Sequence, residues 1–243
     1  MARVERRALV TGGSGDIGGA ICAALARSGW RVVVHANRHA GRAEAVAAAI
    51  RASGGLAEVA TFDVVDSAAT GTALAALLQA GPIQAVVHNA GIHDDAPLAG
   101  MGEEQWRRVI DVSLNGFFHV AQPLLLPMAR GRFGRVVAVS SVAATLGNRG
   151  QVNYAAAKSA LHGAARSLAR EMASRNVTVN VVAPGIIEGR MTRALFTPAE
   201  IKAMIPAARA GTPAEVAGVV AFLCSDAASY VNGQVIGVNG GMV

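Results

Sequence analysis

The chain has 243 residues, of which 52% are hydrophobic and 16% are charged, enough apolar material to bury a sizeable core. No window of about 18 uncharged apolar residues occurs, so a membrane span is not expected. The formal net charge of +6 comes almost entirely from scattered arginines, and aromatic residues make up only 4%, which disfavours a nucleic-acid surface.

The first ten residues carry several charges and no long apolar segment. They predict the approach to a strand, and not a signal peptide. Cys22 and Cys224 lie on predicted helices without the spacing of metal ligands. They indicate two reduced thiols in a cytoplasmic protein.

Short β-branched segments alternate with longer amphipathic segments along the chain. The predicted strands are residues 7–11, 31–36, 56–60, 85–90, 135–140, 178–183 and 234–239. The predicted helices are residues 16–28, 41–53, 67–80, 103–129, 154–174 and 213–224. Continuous apolar strands separated by helices are typical of a parallel sheet covered on both faces. The sequence therefore predicts a single doubly wound α/β domain of Rossmann type over residues 1–243, with about seven strands and an irregular or mobile insert at 186–211.

The first predicted strand leads into TGGSGDIGG, residues 11–19, and then into a helix. Glycines let the backbone approach a pyrophosphate, and the helix N-terminus offers free N–H groups. A glycine-rich loop alone is a weak signal, but its position between the first strand and the first helix strengthens it. The segment predicts a dinucleotide site.

The residues at the end of the second predicted strand indicate which dinucleotide, NAD or NADP, is bound. NAD-binding folds commonly place an acid there, whereas NADP requires its absence and a nearby arginine. The strand ends HANRHAGR, with Asn37, Arg38 and Arg42 and no acid. This favours NADP(H), although Asp16 in the glycine loop would repel a 2′-phosphate if it pointed inward.

Two later segments place polar residues where ligands of such a fold bind. AVVHNAG ends a strand at residues 85–91, and VAVSSVAATLGNRGQVNYAAAK follows further on. Ser141 ends a predicted strand, while Tyr154 and Lys158 lie one helical turn apart on one face. Taken alone, an alanine-rich helix with one tyrosine and one lysine is more often structural than catalytic.

The motifs TGGSGDIG, HNAG, the serine at 141 and YAAAK, in this order and spacing, resemble the short-chain dehydrogenase/reductase family over essentially the whole chain. Within that family, NYAAAKSAL, EMASRNVTVNVVAPGIIEGRMT and NGQVIGVNGGM resemble bacterial 3-oxoacyl-(acyl-carrier-protein) reductases. The second resemblance is less exclusive, because many ketone reductases share these segments.

The resemblance implies a catalytic role for three residues. A free phenol has a pKa near 10, and Lys158 would favour the phenolate and bond the nicotinamide ribose. Tyr154 would protonate the carbonyl oxygen as hydride arrives at carbon, and Ser141 would hold that oxygen. Ser140 is expected to point the opposite way.

The resemblance also implies which residues line an NADPH site. Besides Asn37, Arg38, Tyr154 and Lys158, they are Gly12, Ser14, Ile17 and Gly18 at the phosphates and ribose, Asp63 and Val64 at the adenine, Asn89, Ala90 and Gly91 at the ribose, and Pro184, Gly185 and Ile187 at the nicotinamide.

Four positions depart from the family pattern. Ser113 stands where the family has an active-site asparagine that supports a water relay to the lysine. Gly189 and Arg190 stand where the family often has threonine and aspartate, and Gly15 replaces an arginine common in NADP-specific relatives. Serine can still donate and accept a hydrogen bond, so Ser113 is kept as a candidate catalytic residue.

The expected partner is an acidic acyl carrier protein that bears the substrate. Arg132 and Arg175 fall at positions where the resembling reductases dock the carrier, although both are equally explained as solvated arginines at helix ends. Residues 93–95, His-Asp-Asp, predict the mouth of the substrate pocket, and no metal site is expected. The resemblance implies a homotetramer built on helices 103–129 and 154–174, with a hetero-oligomer containing a paralogue as an alternative.

The leading interpretation is an NADPH-dependent 3-oxoacyl thioester reductase of fatty-acid synthesis or of a specialised aryl-polyene, polyketide or polyhydroxyalkanoate pathway. One alternative is an oxidoreductase for a free ketone or alcohol. Another is a cofactor-binding subunit without turnover. The departures at Ser113 and Gly189 are compatible with this alternative, whereas the presence of Ser141, Tyr154 and Lys158 argues against it.

Overall fold

The structure, a computed structural model, describes residues 6–189, 192 and 196–243. Arg190, one of the positions that depart from the family pattern, lies outside the described residues, as do residues 1–5 of the strand approach.

Seven strands form one parallel sheet in the order β3-β2-β1-β4-β5-β6-β7. The strands are β1 Arg7–Val10, β2 Arg31–Ala36, β3 Leu56–Thr61, β4 Ala85–His88, β5 Gly134–Val139, β6 Val177–Pro184 and β7 Val235–Val238. The chain order reverses between β1 and β4, which are neighbours in the sheet. In a doubly wound sheet, this reversal opens a crevice at the carboxyl ends of the strands.

Helices cover both faces of this sheet. They are α1 Asp16–Arg27, α2 Ala40–Ala52, α3 Ser67–Gln79, α4 Glu103–Ile110, α5 Gly116–Gly131, α6 Ala143–Leu146, α7 Val152–Met172, α8 Pro198–Met204 and α9 Pro213–Cys224. A π-helical turn, Asp111–Asn115, joins α4 to α5. Short 3₁₀ turns occur at Leu98–Gly100, Ala173–Arg175 and Asp226–Ala228.

The sheet separates two apolar cores, because alternate side chains of a strand point to opposite faces. In β1, Ala8 and Val10 contribute to the core beneath α1, α2 and α9, while Leu9 contributes to the core beneath α3, α5 and α7. Both faces of the central strands are therefore apolar, as their continuous hydrophobic sequences predicted. The prediction of a doubly wound parallel sheet is confirmed.

The insert at 186–211 contains a helix that the sequence analysis did not predict. Thr197 caps α8 and forms a capping box with Glu200, and Pro198 occupies the first turn. The same four residues, TPAE, begin α9, where Thr212 and Glu215 form an equivalent box. A Ser/Thr-x-x-Glu box with proline at the first helical position is a strong start signal. The signal for α8 was thus present in the sequence.

The predicted helix 103–129 is interrupted by the π-helical turn. Among the described residues, the continuous stretch Glu103–Gly131 is long and apolar enough to cross a membrane by length and composition alone. Its residues Val120, Leu124 and Met128 are buried in the core beneath the sheet. The core helix of a globular protein passes the same test, so the stretch carries no argument for a membrane.

Candidate active site

The glycine-rich turn after β1 is tightly packed. Gly12 has φ +63°, and a Cβ on Gly18 would lie 2.2 Å from the carbonyl oxygen of Gly12. The backbone N–H of Gly13 donates to the carbonyl of His35 at 2.8 Å. Ser14 and Ile17 are half-buried beside the start of α1. The absence of side chains at positions 12 and 18 lets this backbone approach a ligand at the helix N-terminus.

Thr11 ties the glycine turn to the end of β4. Its Oγ1 accepts the backbone N–H groups of Asn89 and Ala90, each at 3.0 Å. The side-chain amide of Asn89 in turn donates to the carbonyls of Thr11 and Gly12, each at 3.1 Å. The two segments that follow β1 and β4 are therefore one hydrogen-bonded unit.

A buried histidine supports the same turn from β2. His35 Nδ1 accepts the N–H of Gly12 at 3.2 Å, and its Nε2 donates to the carbonyl of Phe62 at 2.9 Å. Burial lowers the pKa of His35, so the ring stays neutral with one donor and one acceptor. His35 is a positioning residue for the glycine turn, and the sequence analysis did not identify it.

The adenine end of the predicted cofactor site is open to solvent. Asn37 and Arg38 follow β2 and are exposed. After β3, the Asp63 carboxylate accepts the N–H of Val65 at 3.0 Å, and the carbonyl of the buried Val64 accepts from His119 at 2.9 Å. These predicted residues thus lie at the carboxyl ends of β2 and β3, on the same edge as the glycine turn.

Asp16, which the sequence analysis placed in the glycine loop, lies against the segment that follows β6. Its Oδ2 is 2.7 Å from the position that a Cβ on Gly189 would occupy. Asp16 is exposed and is the first residue of α1. Asp16, which would repel a 2′-phosphate if it pointed inward, is therefore next to Gly189, one of the positions that depart from the family pattern.

Ser141 and Tyr154 share a hydrogen bond between their hydroxyl groups. Ser141 follows β5, and its Oγ also accepts the N–H of Ala143 at 3.2 Å. Tyr154 and Lys158 lie on α7, with Lys158 Nζ 5.7 Å from the centre of the tyrosine ring. The Nζ of Lys158 donates to the carbonyl of Val139 at 2.9 Å. The structure thus brings the three predicted catalytic residues together.

Burial sets the protonation of this group. It lowers the pKa of Lys158 to about 8. Burial also raises the pKa of the Tyr154 phenol and is the largest influence on it. The hydrogen bond from Ser141 lowers this pKa, and the charge of Asp95 raises it further. At neutral pH, the phenol therefore keeps its proton beside a lysine that is mostly cationic.

Ser140 faces away from Tyr154, toward the backbone of α7. Its Oγ donates to the carbonyl of Lys158 at 2.9 Å and lies 2.9 Å from Nε2 of His162. Because the Ser140 proton is used by that carbonyl, His162 is the donor of the second bond. The pair fastens α7 to the end of β5.

Asn153 is a buried residue of the site that the sequence analysis did not identify. Its side-chain amide donates to the carbonyls of Asp94 and Gln105, at 2.9 and 3.3 Å, and its Oδ1 accepts the N–H of Tyr154 at 2.8 Å. It therefore joins α7 to α4 and to the segment after β4. The signal available in the sequence was an asparagine directly before the tyrosine, at a helix start.

Ser113 lies in the π-helical turn and is fully buried. Within the described ranges, its Oγ is one of three buried side-chain polar atoms that have no hydrogen-bond partner. A Cβ on Gly91 would lie 2.9 Å from Lys158 Nζ and 3.6 Å from Ser113 Oγ. The glycine thus leaves space between the serine hydroxyl and the lysine. Single π-helical turns are frequent at functional sites.

The residues 93–95 are bonded to protein partners. Asp94 accepts from Gln105 at 2.9 Å and from Arg108 at 2.6 Å. Asp95 accepts from Gln151 at 2.8 Å, and its other oxygen lies 3.2 Å from Nδ1 of His93. In the part of the chain that the structure describes, no group of three or more His, Cys, Asp or Glu residues could hold a metal ion.

The last group of predicted cofactor residues follows β6. Pro184 ends this strand, and the N–H of Gly185 donates to the carbonyl of Val238 at 2.9 Å. A Cβ on Gly185 would lie 2.8 Å from Cα of Asn239, which explains the glycine. Ile187 is buried and forms an isolated bridge with Gly211. These residues also lie at the carboxyl edge of the sheet.

Arg132 and Arg175 lie at the opposite edge. Arg132 precedes β5 with φ +50°, Arg175 precedes β6, and both are exposed. The guanidinium of Arg132 donates to the carbonyl of Ser174 at 3.4 Å. The six residues of β5 separate Arg132 from Ser141 by roughly 20 Å at about 3.3 Å per residue. The two arginines are thus close together but are not at the mouth of this chain's own site.

The fold and this site together define a class of protein. Four features meet at the crevice where doubly wound sheets bind dinucleotides. They are the glycine turn, the helix N-terminus beside it, the bonded Ser141–Tyr154 pair and the buried Lys158. The residues present fit a nicotinamide dinucleotide, because the backbone at Gly12 and Gly18 is free of side chains and Lys158 faces the space above Gly91. This combination is that of an oxidoreductase.

Comparison with known proteins also indicates an oxidoreductase. The family model described as enoyl-(acyl carrier protein) reductase matches residues 13–243. The 3-oxoacyl-[acyl-carrier-protein] reductase MabA of Mycobacterium tuberculosis is 47% identical over 242 residues, which are 98% of this chain and 93% of the relative. The reductase FabG of Escherichia coli is 44% identical over 239 residues, 97% and 96% of the two chains.

A solved structure from Agrobacterium tumefaciens, provisionally assigned as a gluconate dehydrogenase, superposes with a TM-score of 0.94 at 33% identity. The match covers 98% of this chain and 95% of the other. The chain belongs to the short-chain dehydrogenase/reductase family, and it is an oxidoreductase of the type that uses a nicotinamide cofactor.

Proposed function

We propose that this protein reduces a 3-oxoacyl thioester to the 3-hydroxyacyl thioester with NADPH, as a step in fatty-acid or related acyl synthesis. The observation that carries the proposal is the hydrogen-bonded Ser141–Tyr154 pair beside the buried Lys158. Relatives that are 44% to 47% identical over nearly the whole chain are named as 3-oxoacyl-[acyl-carrier-protein] reductases.

The nicotinamide cofactor supplies a hydride when bound. Tyr154 keeps its proton at neutral pH because burial raises the pKa of the phenol, and it donates this proton to the carbonyl oxygen of the substrate. Ser141 donates a hydrogen bond to the same oxygen and stabilises its developing charge. Lys158 then stabilises the phenolate that remains, since an ammonium group close to a phenolate favours its charged form.

The preference for NADPH over NADH rests on the end of β2. No acid follows this strand, and the exposed Asn37 and Arg38 are available for a 2′-phosphate. The predicted cofactor set (Gly12, Ser14, Ile17, Gly18, Asp63, Val64, Asn89, Ala90, Gly91, Pro184, Gly185 and Ile187) shares the carboxyl edge of the sheet. Arg38→Asp is expected to raise KM for NADPH while leaving KM for NADH nearly unchanged.

The substrate is carried by an acidic acyl carrier protein that docks on Arg132 and Arg175. Because these arginines lie roughly 20 Å from Ser141, the acyl-bearing arm covers that distance or enters the site of a neighbouring copy. Replacement of either arginine by glutamate should raise KM for a carrier-bound substrate and spare a small thioester analogue. Equal effects on both substrates would exclude the docking role.

The remaining expectations concern assembly and closure. A homotetramer would cover exposed apolar side chains of α5, of which Phe118 is 61% exposed and Leu126 is 57% exposed. Residues 186–211 act as the substrate lid, and the Ile187–Gly211 bridge joins the two ends of this segment. We place the enzyme in the cytoplasm.

The test is the loss of NADPH absorbance by the purified protein with an acetoacetyl thioester, run beside an NADH reaction. Turnover that favours NADPH is expected. If the thioester is inactive while free ketones are reduced, the protein is a free-ketone oxidoreductase. If NADPH binds and a broad panel of ketones and thioesters is inactive, the protein is a non-catalytic subunit.

A further inference from the structure

His88 is the last residue of β4 and is almost completely buried. Its two ring nitrogens face two different parts of the site. Nδ1 lies 3.3 Å from the hydroxyl of Thr11 in the glycine turn, and Nε2 lies 3.1 Å from the carbonyl oxygen of Ser113 in the π-helical turn. The imidazole therefore bridges the cofactor side and the catalytic side of the crevice.

The directions of these two bonds follow from their partners. Thr11 Oγ1 already accepts the N–H groups of Asn89 and Ala90, so its own proton is directed to Nδ1 of His88. The proton of the imidazole must then be on Nε2, where it is donated to the carbonyl of Ser113. Burial, with the charge of Lys158 as a smaller influence, lowers the pKa of His88 to about 3. The ring is neutral, and both nitrogens are occupied.

The carbonyl that His88 holds belongs to the residue whose side chain faces the lysine. Ser113 Oγ is buried without a partner in the described part of the chain, and only the space above Gly91 separates it from Lys158 Nζ. The orientation of that hydroxyl depends on the register of the π-helical turn, Asp111–Asn115. His88, which lies outside this turn, bonds the Ser113 carbonyl and so restrains the backbone at that position.

We propose that His88 is a positioning residue for the reduction: its Nε2–H holds the Ser113 carbonyl, fixes the π-helical turn, and so directs the Ser113 hydroxyl toward Lys158. The proposal rests on the reductase activity proposed above. It assigns His88 no contact with substrate or cofactor. It also gives a reason for a histidine, since one ring must accept from Thr11 and donate to Ser113 at the same time.

Two amide variants of His88 differ in which of its two hydrogen bonds they can keep. In His88→Gln, the side-chain NH₂ can occupy the position of Nε2 and donate to the Ser113 carbonyl. In His88→Asn, the shorter amide matches only Nδ1, so it keeps the Thr11 partner and loses Ser113. We expect His88→Gln to keep kcat within about 3-fold, and His88→Asn to lower kcat about 10-fold or more with little change in KM for NADPH.

A double-mutant cycle tests whether His88 acts through Ser113. In a Ser113→Ala background, His88→Asn should reduce kcat by less than about 2-fold further, because the hydroxyl that His88 directs is already gone. Multiplicative effects of the two changes would overturn the proposal, as would equal losses in His88→Gln and His88→Asn.

Amide hydrogen exchange of the cofactor-free protein gives a readout that does not depend on turnover. His88→Asn should accelerate exchange in residues 111–115, and His88→Gln should not. His35→Asn is the matched control, because it removes a second neutral buried histidine that supports the glycine turn and should leave exchange at 111–115 unchanged. If wild-type protein reduces no thioester, the proposed function fails while this exchange experiment still decides the role of His88. Unchanged exchange in His88→Asn would refute it.

Discussion

Two clusters of buried and half-buried polar residues meet at the carboxyl edge of the sheet, and they differ in how completely they are bonded. In the turn cluster (Thr11, His35 and Asn89), each side chain has two or more hydrogen-bond partners within the protein. In the catalytic cluster (Ser113, Ser141, Tyr154 and Lys158), the hydroxyl of Ser113 has no partner among the described residues.

This difference separates a scaffold from a reaction site. A buried polar group that is fully bonded stabilises one arrangement of the backbone, whereas an unpaired one costs about 1–3 kcal/mol and requires an explanation. The hydrogen bonds of the turn cluster hold two strand ends together. The catalytic cluster keeps unused hydrogen-bonding groups that can bind substrate and cofactor. The following changes test this difference at single positions in and around the two clusters.

The largest effect is expected at Gly18, because a Cβ there would meet the Gly12 carbonyl at 2.2 Å. Gly18→Ala should lower the free energy of unfolding by about 4 kcal/mol or more and abolish NADPH binding. Gly163→Ala is the control, since nothing lies within 4 Å of its Cβ position on α7 and stabilisation by up to about 1 kcal/mol is expected. Denaturant unfolding and cofactor titration measure both. Normal binding by Gly18→Ala would show that the turn is not a tight cradle.

Tyr154→Phe should affect the catalytic cluster alone. Loss of the phenolic proton is expected to lower kcat by about 10³-fold, within the range of general acid catalysis, without loss of NADPH binding. The second tyrosine of the chain, Tyr230, is 99% exposed, so Tyr230→Phe should retain full activity. Steady-state kinetics and cofactor fluorescence compare the two variants. Residual turnover above about a tenth of the wild-type rate would show that Tyr154 is not the proton donor.

Two buried threonines test the contrast between bonded and unbonded groups directly. Thr11→Val removes the acceptor of two N–H groups and the partner of His88, and should lower the free energy of unfolding by about 2–3 kcal/mol. Thr178 Oγ1 is buried without a partner in the described part of the chain. Thr178→Val should therefore be neutral or stabilising in thermal denaturation. Equal destabilisation of both variants would contradict the comparison.

The smallest effect, taken per pH unit, is expected in acid. The folded-state pKa of His88, about 3, lies below its ordinary value of 6.5, and burial lowers the pKa of His35 as well. Between these values the unfolded chain binds protons that the folded chain cannot, so the free energy of unfolding should fall as pH falls below 6.5. The slope is about 1.4 kcal/mol per pH unit for each histidine. Urea unfolding at several pH values should show a shallower slope for His88→Gln than for wild type.

The sequence was sufficient to predict those features that depend on local pattern. Strand boundaries agree within about a residue or two, because continuous apolar segments mark buried parallel strands. The positions of Ser141, Tyr154 and Lys158 at the carboxyl edge followed from the strand end and the helix start. Their catalytic roles stay predictions until turnover is measured.

Features that depend on tertiary contact could not be predicted in the same way. The π-helical turn is followed by Gly116, where a Cβ would lie 2.9 Å from Val64, and no local pattern reveals that contact. The partners of His88 and Asn153 come from segments 25 to 77 residues away. By contrast, the location of Arg132 and Arg175 could have been predicted, because residues that precede parallel strands lie at the amino edge.

The contact between Asp16 and Gly189 links the start of α1 to the segment that follows β6. Any side chain at position 189 would begin 2.7 Å from the Asp16 carboxylate. Because Asp16 is exposed and the atom approached is the end of its side chain, the carboxylate can turn away at small cost. A substitution at 189 is therefore expected to move a negative charge at the N-terminus of α1 while leaving the fold intact.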